Sequence, residues 1–209
     1  MARVTPLDLQ DVPELAEVFR PAEERMGFVP NSMRTMARNP EIVKAFSALG
    51  KAIMKDAGAV PLSLKNMIGH VASLAGGCQY CQAHTANNAG RKGSDLEAEK
   101  IASIWAYETS PLFSEAERAA LAFAQSAAST PNMVSDEQVD GLRAYFSDAD
   151  IVEITAVVAF YGFLNRWNDT MATELEEAPR ATGEALLKGA GWQIGEHAPM
   201  PAAGSEAAE

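Results

Sequence analysis

Apolar residues recur at helical spacing along most of the chain, and strict alternation of apolar and polar positions is missing. The clearest apolar stripe lies between positions 61 and 74 and consists of Leu64, Met67, Ile68, Val71 and Leu74. Alanine is abundant and runs of β-branched residues are short, which favours helices over strands. The pattern therefore predicts an all-α fold.

Turn and capping residues divide this pattern into separate helices. The predicted helices run from Asp8 to Arg20, from Pro40 to about Lys55, from Pro61 to Leu74, from about Cys78 to Arg91, and from Asp150 to Glu176. Gly162 is a candidate break point in the last of them. Three further helix starts are marked by capping boxes, in which a serine is followed three residues later by Glu or Gln, at Ser94, Ser114 and Ser135.

The domain organisation is predicted to be simple. Residues 1–197 are expected to form one helical domain, and residues 198–209, rich in Ala, Pro, Gly and Glu, are expected to be disordered. A weak similarity at an offset of 87 residues aligns Leu64–Met67 with Ile151–Ile154. It indicates either a degenerate internal repeat, whose second copy has lost the cysteines, or a chance likeness of two amphipathic helices.

Composition excludes several classes of function. The net charge of −11 argues against nucleic-acid binding, which needs a basic surface. No apolar run is long enough to span a membrane, and the N-terminus lacks the apolar core of a signal peptide. We therefore expect a cytoplasmic protein. In a reducing compartment, two cysteines three positions apart indicate a redox or metal site rather than a structural disulfide.

The candidate chemistry lies in the segment Cys78-Gln79-Tyr80-Cys81, with His84 one turn further on. Cysteines at i and i+3 share a helix face, so their sulfurs can form a reversible disulfide. The glycines at 76 and 77 place a helix start near Cys78, where the helix dipole favours a thiolate. His84 is the expected acid–base partner. These parts fit a thiol peroxidase, in which one cysteine becomes a sulfenic acid and the other condenses with it.

Zinc binding is the competing interpretation, with Cys78, Cys81, His84 and His70 as ligands. Geometry counts against it, because Cys78 and His84 would lie roughly 9 Å apart along one helix axis and on diverging faces. We therefore expect no metal and no cofactor.

At these residues the sequence resembles the carboxymuconolactone decarboxylase superfamily, in its AhpD-like (alkylhydroperoxidase D-like), peroxidase-related branch. The likeness covers residues 25 to 175 and is carried by the segments 27–31, 39–41, 64–84, 114–117, 135–137 and 160–166. It implies an all-α homo-oligomer that reduces hydroperoxides in antioxidant defence, with electrons from a lipoyl or thioredoxin-like dithiol donor. It also implies that Cys81 attacks the peroxide and Cys78 resolves the product, whereas the helix dipole alone favours Cys78 as the attacking thiol.

Two positions depart from the family pattern. The family usually has a glutamate twelve residues before the first cysteine, where this chain has Asn66, and its relay histidine at the position of Thr85 rather than His84. An amide cannot take up a proton, so efficient peroxidase activity needs another relay group. His70 and Glu153 are the candidates. Their simpler interpretations are a polar side chain on a helix flank and a solvated carboxylate.

Two alternative functions stay open. One is a lyase or isomerase acting on a lactone, which would need acid–base groups rather than a cysteine pair. The other is a non-catalytic redox or assembly protein in which Asn66 marks a lost relay.

Overall fold

The structure is a computed structural model that describes residues 2–55, 60–88 and 98–199. Within these ranges the chain forms α-helices and single-turn 3₁₀ helices, with no β-strand, which confirms the predicted all-α fold. The α-helices are α1 (Ala16–Met26), α2 (Asn31–Met36), α3 (Pro40–Ile53), α4 (Leu62–Gly76), α5 (Gln79–Asn88), α6 (Ala98–Ala102), α7 (Glu115–Ala128), α8 (Asp136–Arg143), α9 (Asp148–Met171) and α10 (Glu177–Leu186).

Helix α4 lies at the centre of the fold. It packs against α5, α7 and α9, and α5 is covered in turn by α10. Every residue from Leu64 to Ser73 is buried, including the polar ones. The predicted stripe from Leu64 to Val71 is therefore part of a stretch buried on all faces, as expected when several helices enclose one another. Leu74, the last residue predicted for the stripe, is instead 39% exposed. A smaller apolar cluster, formed by α1, α2 and α3, joins this core through Phe46 and Leu164, which contact both.

A tight turn links α4 to α5 and sets the position of the cysteines. Gly77 adopts a left-handed conformation with φ of 75°, which glycine reaches without steric cost. The amide of Gly77 donates to the carbonyl of Leu74 at 3.1 Å, and the amide of Cys78 donates to that of Ser73 at 3.0 Å. This pairing is a Schellman-type helix end. Cys78 therefore stands immediately before the first residue of α5.

Some predicted boundaries are confirmed and others are not. The capping boxes at Ser114 and Ser135 are present, whereas the one predicted at Ser94 lies outside the described residues. A further box, Ser147 with Asp150, starts α9 two residues earlier than predicted. The expected first helix begins later, because residues 9–15 form two 3₁₀ turns around Pro13.

Helix α9 differs from its prediction in a way that matters for the site. It passes through Gly162 without a break and ends at Met171, because Ala172 turns into the left-handed region with φ of 45°. Residues 172–176 consequently leave the helix and fold back toward α5. Most of the predicted disordered tail, residues 200–209, lies outside the described residues. Among the described helices, none is both long and apolar enough to cross a membrane.

The close approach of α4 and α9 depends on Gly69. A Cβ atom at this position would lie 2.2 Å from the ring of Tyr161 on α9. We predict that Gly69→Ala lowers the free energy of unfolding by about 1–3 kcal/mol, because the two helices must separate. Gly162→Ala on α9 is the matched control, since its Cβ would meet nothing within 4 Å, and it should stabilise the fold by about 0.4–1 kcal/mol. Denaturant unfolding measures both; equal effects would contradict this packing.

Candidate active site

The two cysteines meet at the N-terminus of α5. Cys78 caps the helix and Cys81 lies in its first turn, where the amide of Cys81 donates to the Cys78 sulfur at 3.4 Å. Both are free thiols and both are buried. Asn168, on α9, donates from its side-chain amide to the Cys81 sulfur at 3.4 Å. The structure therefore brings the predicted pair together in the dithiol form, with hydrogen-bond donors aimed at both sulfurs.

The two cysteines differ in their access to a large cavity formed by the described residues. A cavity of about 430 Å³ is lined by Cys81, together with Tyr80, His84 and Asn168, and its lining does not include Cys78. Its walls are largely apolar, with Pro21, Ala22, Met26, Met33, Phe46, Met54, Leu62, Phe160, Tyr161 and Leu164. A molecule in this cavity would meet the sulfur of Cys81 first. This asymmetry agrees with the roles that the family resemblance implies for the two thiols.

His84 is held by a carboxylate that the sequence analysis missed. Its Nε2 donates to Glu176 at 2.7 Å, and the Tyr80 hydroxyl donates to the other oxygen of the same carboxylate at 2.8 Å. The backbone amide of Asn31 also donates to Glu176, at 2.5 Å. The Tyr80 and His84 rings stack with centroids 4.4 Å apart. His84 is thus fixed in orientation at the cavity wall.

The electrostatics of this group keep Glu176 ionised. Burial alone would raise the pKa of Glu176, but the charge of His84 and the hydrogen bonds from His84 and Asn31 outweigh it and lower that pKa below its usual range. Burial raises the pKa of Tyr80 well above its usual range, so Tyr80 stays a neutral phenol that donates to the carboxylate. The result is a histidine paired with a fixed carboxylate, an arrangement that can deliver or accept a proton.

The three relay residues considered from sequence occupy different places. Asn66 lines the cavity, but its amide donates to the carbonyl of Leu62 at 3.0 Å and its oxygen accepts from Asn88 at 2.9 Å. Glu153 instead pairs with the fully buried ammonium of Lys65 at 2.7 Å, away from His84. It is therefore neither near the cysteines nor the solvated carboxylate of the simpler interpretation.

His70 is buried between α4 and α5, outside the large cavity. Its Nδ1 lies 2.7 Å from the hydroxyl of Thr85, which donates to the carbonyl of Cys81 at 3.0 Å. Burial lowers the pKa of His70 to about 4, so it is neutral at physiological pH. His70 therefore ties the two helices together behind the backbone of Cys81.

A second group of ionisable side chains lies around Cys78, on the side away from the cavity. The Cys78 sulfur, a carboxylate oxygen of Asp169 and a ring nitrogen of His197 all lie within 4.8 Å of one another. His197 is buried, although it lies near the end of the described chain: its exposed fraction is 2%. A 3₁₀ turn at residues 195–197 seats it there, and its Nδ1 donates to the carbonyl of Thr173 at 2.8 Å.

This second group bears on the zinc interpretation. In the described part of the chain it is the single cluster of three or more potential ligands, and it contains none of Cys81, His84 and His70. The four ligands proposed from sequence are therefore not gathered around one point. The thiol, imidazole and carboxylate of the observed cluster are ligand types that zinc accepts.

Three site residues were not assigned from sequence, and the sequence marks them to different degrees. Asn168 belongs to a polar segment, residues 165–168, inside an otherwise apolar helix, which is a recognisable sign of a lined pocket or a buried polar contact. Glu176 carries no such sign, because it stands among other acidic residues and 92 positions from His84. His197 is a lone histidine near the end of the chain, and nothing in its spacing points to Cys78.

Comparison with known proteins agrees with this fold. Residues 40–126 match the model of the carboxymuconolactone decarboxylase family. The uncharacterized protein YnjA of Escherichia coli (strain K12) is 34% identical over 95 residues, which are 45% of this chain and 50% of that protein. The chain thus matches about half the length of this curated relative.

Two solved structures extend the comparison over most of the chain. The debrominase Bmp8, in a cysteine-to-alanine variant bound to 2,3,4-tribromopyrrole, is 40% identical with a TM-score of 0.81, covering 88% of this chain and 96% of that one. The alkylhydroperoxidase AhpD core of a peroxidase-related protein from Ralstonia eutropha JMP134 has a TM-score of 0.73 at 23% identity, covering 95% and 98% of the two chains. The second likeness concerns the fold alone.

Proposed function

We propose that this chain is an AhpD-like member of the carboxymuconolactone decarboxylase superfamily and a thiol-dependent reductase of organic hydroperoxides. The observation that carries this proposal is that the two cysteines have different surroundings. Cys81 faces a large apolar cavity beside the His84–Glu176 pair, while Cys78 stands behind it. We propose Cys81 as the attacking thiol, Cys78 as the resolving thiol and His84 as the acid–base group.

The first step consumes the hydroperoxide. The thiolate of Cys81 attacks the terminal oxygen, an S–O bond forms and the O–O bond breaks. The departing alkoxide takes a proton from His84 and leaves as an alcohol, while Cys81 becomes a sulfenic acid. Glu176 stabilises the protonated imidazole before this transfer and keeps the ring turned toward the cavity. The amide of Asn168 stabilises the thiolate through its hydrogen bond to the sulfur.

The second step closes the disulfide. Cys78 attacks the sulfur of the Cys81 sulfenic acid, an S–S bond forms and the hydroxyl leaves as water with one proton. An external dithiol then returns the pair to its reduced form by thiol–disulfide exchange. We propose a lipoyl or thioredoxin-like protein as this donor, and a homo-oligomer as the working form, because the AhpD-like branch implies both.

The cavity indicates the class of substrate. Its volume of about 430 Å³ far exceeds what hydrogen peroxide needs and lies within the range of sites for small organic molecules. Although the net charge of the chain is −11, the described lining contains Arg25, Lys51 and Lys55 and no carboxylate. The side-chain oxygen of Asn168 is buried without a partner, next to Cys81. We propose an apolar substrate with an anionic group near the mouth and an O–H or N–H donor near the sulfur.

The basic residues that line the cavity, Arg25, Lys51 and Lys55, lead to a prediction about substrate preference. Replacing both Arg25 and Lys51 with glutamine should raise KM for a fatty-acid hydroperoxide about fivefold, because two surface charges no longer attract the carboxylate. KM for neutral cumene hydroperoxide should stay the same. Lys44→Gln, an exposed lysine of α3 that pairs with Glu41, is the matched control. An equal rise in KM for both hydroperoxides would contradict an anion-selective mouth.

Reductive debromination is a second candidate, favoured by the 40% identity to the debrominase Bmp8 over 96% of that chain. The same groups would serve: Cys81 takes bromine from the ring as the C–Br bond breaks, and His84 gives the carbon a proton. Cys78 then forms the disulfide and expels bromide. The net change converts an aryl bromide and two thiols into an arene, bromide, a proton and a disulfide, so the electrons balance.

One experiment tests the proposed function and separates the candidates. The reduced protein is incubated with dithiothreitol and either cumene hydroperoxide or 2,3,4-tribromopyrrole, and loss of peroxide and release of bromide are measured. Peroxide turnover that depends on Cys81, without bromide release, supports the hydroperoxidase. Bromide release without peroxide turnover replaces it with the second candidate. Equal rates in the double Cys78→Ser/Cys81→Ser variant would reject both.

A further inference from the structure

The resolving step raises a problem of proton transfer. Cys78 is buried, does not line the cavity and must lose its proton as it attacks the sulfur of Cys81. Burial raises the pKa of the Cys78 thiol, so a thiolate would not form there unaided. His84 lines the cavity that Cys81 also lines, and Glu176 holds His84 there. The proton of Cys78 therefore needs an acceptor on the other side of the pair.

His197 and Asp169 occupy that side. Because the carbonyl of Thr173 can only accept, Nδ1 of His197 carries a proton. Nε2 lies 3.4 Å from the Asp169 carboxylate, and a ring nitrogen of His197 lies within 4.8 Å of the Cys78 sulfur. A thiol, an imidazole and a carboxylate are the groups by which cysteine nucleophiles are activated, and here the carboxylate lies on the Nε2 side of the ring. The backbone carbonyl of Thr173 fixes the tautomer of His197, and the side chain of Asp169 on α9 supplies a negative charge beside it.

Resting on the proposed function, we propose that His197, oriented by Thr173 and Asp169, is the proton acceptor for Cys78 in disulfide formation. As Cys78 attacks the sulfenic sulfur of Cys81, its proton moves to Nε2 of His197 and the S–S bond forms. The S–O bond breaks, and the hydroxide leaves as water with a proton from the cavity side. His197 returns its proton when the external dithiol reduces the disulfide and Cys78 is the leaving thiol. No reactant beyond the substrate and the dithiol is needed.

The surroundings of His197 favour this role. Asp169 and Cys78 face its ring directly, and the Tyr80 ring lies 5.7 Å away with its hydroxyl turned toward Glu176. The hydrogen bonds to Asp169, Cys78 and Thr173 outweigh burial and raise the pKa of His197 to about 9, so the neutral ring that can take the proton of Cys78 becomes more abundant as the pH rises toward that value. The guanidinium of Arg3 bonds Glu196 and the carbonyl of Asp169, which fixes the helix end and the turn beside the imidazole.

The test separates the two steps in a single turnover. Reduced protein is mixed with one equivalent of cumene hydroperoxide, quenched at intervals, and assayed by mass spectrometry for Cys81 sulfenic acid and for the disulfide. In His197→Gln the sulfenic acid should form at the wild-type rate, and the disulfide should form about 100-fold more slowly, with a rate that climbs with hydroxide concentration. Asp169→Asn should slow the same step less. Glu184→Gln, which removes an exposed carboxylate of α10 that pairs with Arg180, is the control and should change neither step.

A second arm does not depend on peroxide chemistry. Methyl methanethiosulfonate converts Cys81 to a methyl disulfide, which Cys78 then displaces, and His197→Gln should slow this displacement as well. If peroxide oxidises no variant and the displacement still depends on His197, the proposed function fails and this inference stands. Wild-type displacement rates in His197→Gln and Asp169→Asn would overturn the inference. So would an equal slowing of both steps, or one bound zinc per chain that Cys78→Ser abolishes.

Discussion

The Cys81→Ser protein is expected to lose all turnover of hydroperoxide, with a residual rate equal to that of the uncatalysed reaction. Cys81 is the one thiol that lines the cavity, and the hydroxyl of serine cannot accept an oxygen atom as a thiolate does. Cys78→Ser is the matched variant, because it removes the other thiol of the same helix end. It should consume one equivalent of hydroperoxide rapidly and then stall, since the sulfenic acid finds no partner.

Stopped-flow measurement of peroxide loss distinguishes these two outcomes. Full turnover in Cys81→Ser would show that Cys78 reaches the substrate and that the cavity is not the site of reaction. A fast single equivalent in Cys81→Ser and none in Cys78→Ser would reverse the two roles and restore the assignment that the helix dipole alone favours.

The second large effect is expected at Glu176. Glu176→Gln should lower kcat by about 100-fold, the lower end of what general acid–base catalysis contributes. The amide keeps a hydrogen bond to His84 but carries no charge to stabilise a protonated imidazole. The matched control is Glu174→Gln, two residues earlier on the same segment. An unchanged kcat in Glu176→Gln, or an equal fall in both variants, would contradict a role for this carboxylate in proton transfer.

The pH dependence of the activity should also show the contribution of Glu176. Because the pKa of Glu176 is lowered in the folded protein, the stabilisation from its pairing with His84 is fully present above the ordinary carboxyl pKa. It is lost as the pH falls through the lowered value. We expect the wild-type activity to decline on this acid side, and Glu176→Gln to lack that decline. A decline of identical midpoint in the variant would assign it to another group.

The fold class and the proximity of the two cysteines could be predicted from sequence because their signals are local. Helical periodicity, the capping serines at 114 and 135, and the Gly-Gly turn before Cys78 each involve residues within a few positions of one another. The spacing of Cys78, Cys81 and His84 likewise indicates one short helix, and Cys78 lies directly before its first residue while Cys81 and His84 lie within it. Such patterns report local geometry directly.

The partners of these residues could not be predicted in the same way. Glu176 reaches His84 because α9 ends at Met171 and the following segment turns back over α5. His197 reaches Cys78 through a 3₁₀ turn near the end of the described chain. Both contacts depend on where long helices stop and how later segments pack, and no short spacing encodes that. The burial of Lys65 against Glu153 is a further contact of this kind.

The carboxylate of Glu176 offers an explanation for the asparagine at position 66. The AhpD-like pattern places a glutamate at that position, on α4, whereas here Asn66 bonds Leu62 and Asn88. Glu176 approaches His84 from the loop before α10 instead. We interpret this as a relay rebuilt from a different element, with the histidine moved back one position, to 84. The substitution at Asn66 is then compatible with acid–base catalysis rather than a sign of its loss.

Chemical trapping of the sulfenic acid tests the central claim, that Cys81 attacks and Cys78 resolves, most directly. Cys78→Ser and Cys81→Ser are each treated with one equivalent of cumene hydroperoxide in the presence of dimedone, and the labelled peptide is identified by mass spectrometry. The account predicts a dimedone adduct on Cys81 in Cys78→Ser and no adduct in Cys81→Ser. An adduct on Cys78 in Cys81→Ser, formed as fast as the wild-type protein is oxidised, would contradict it.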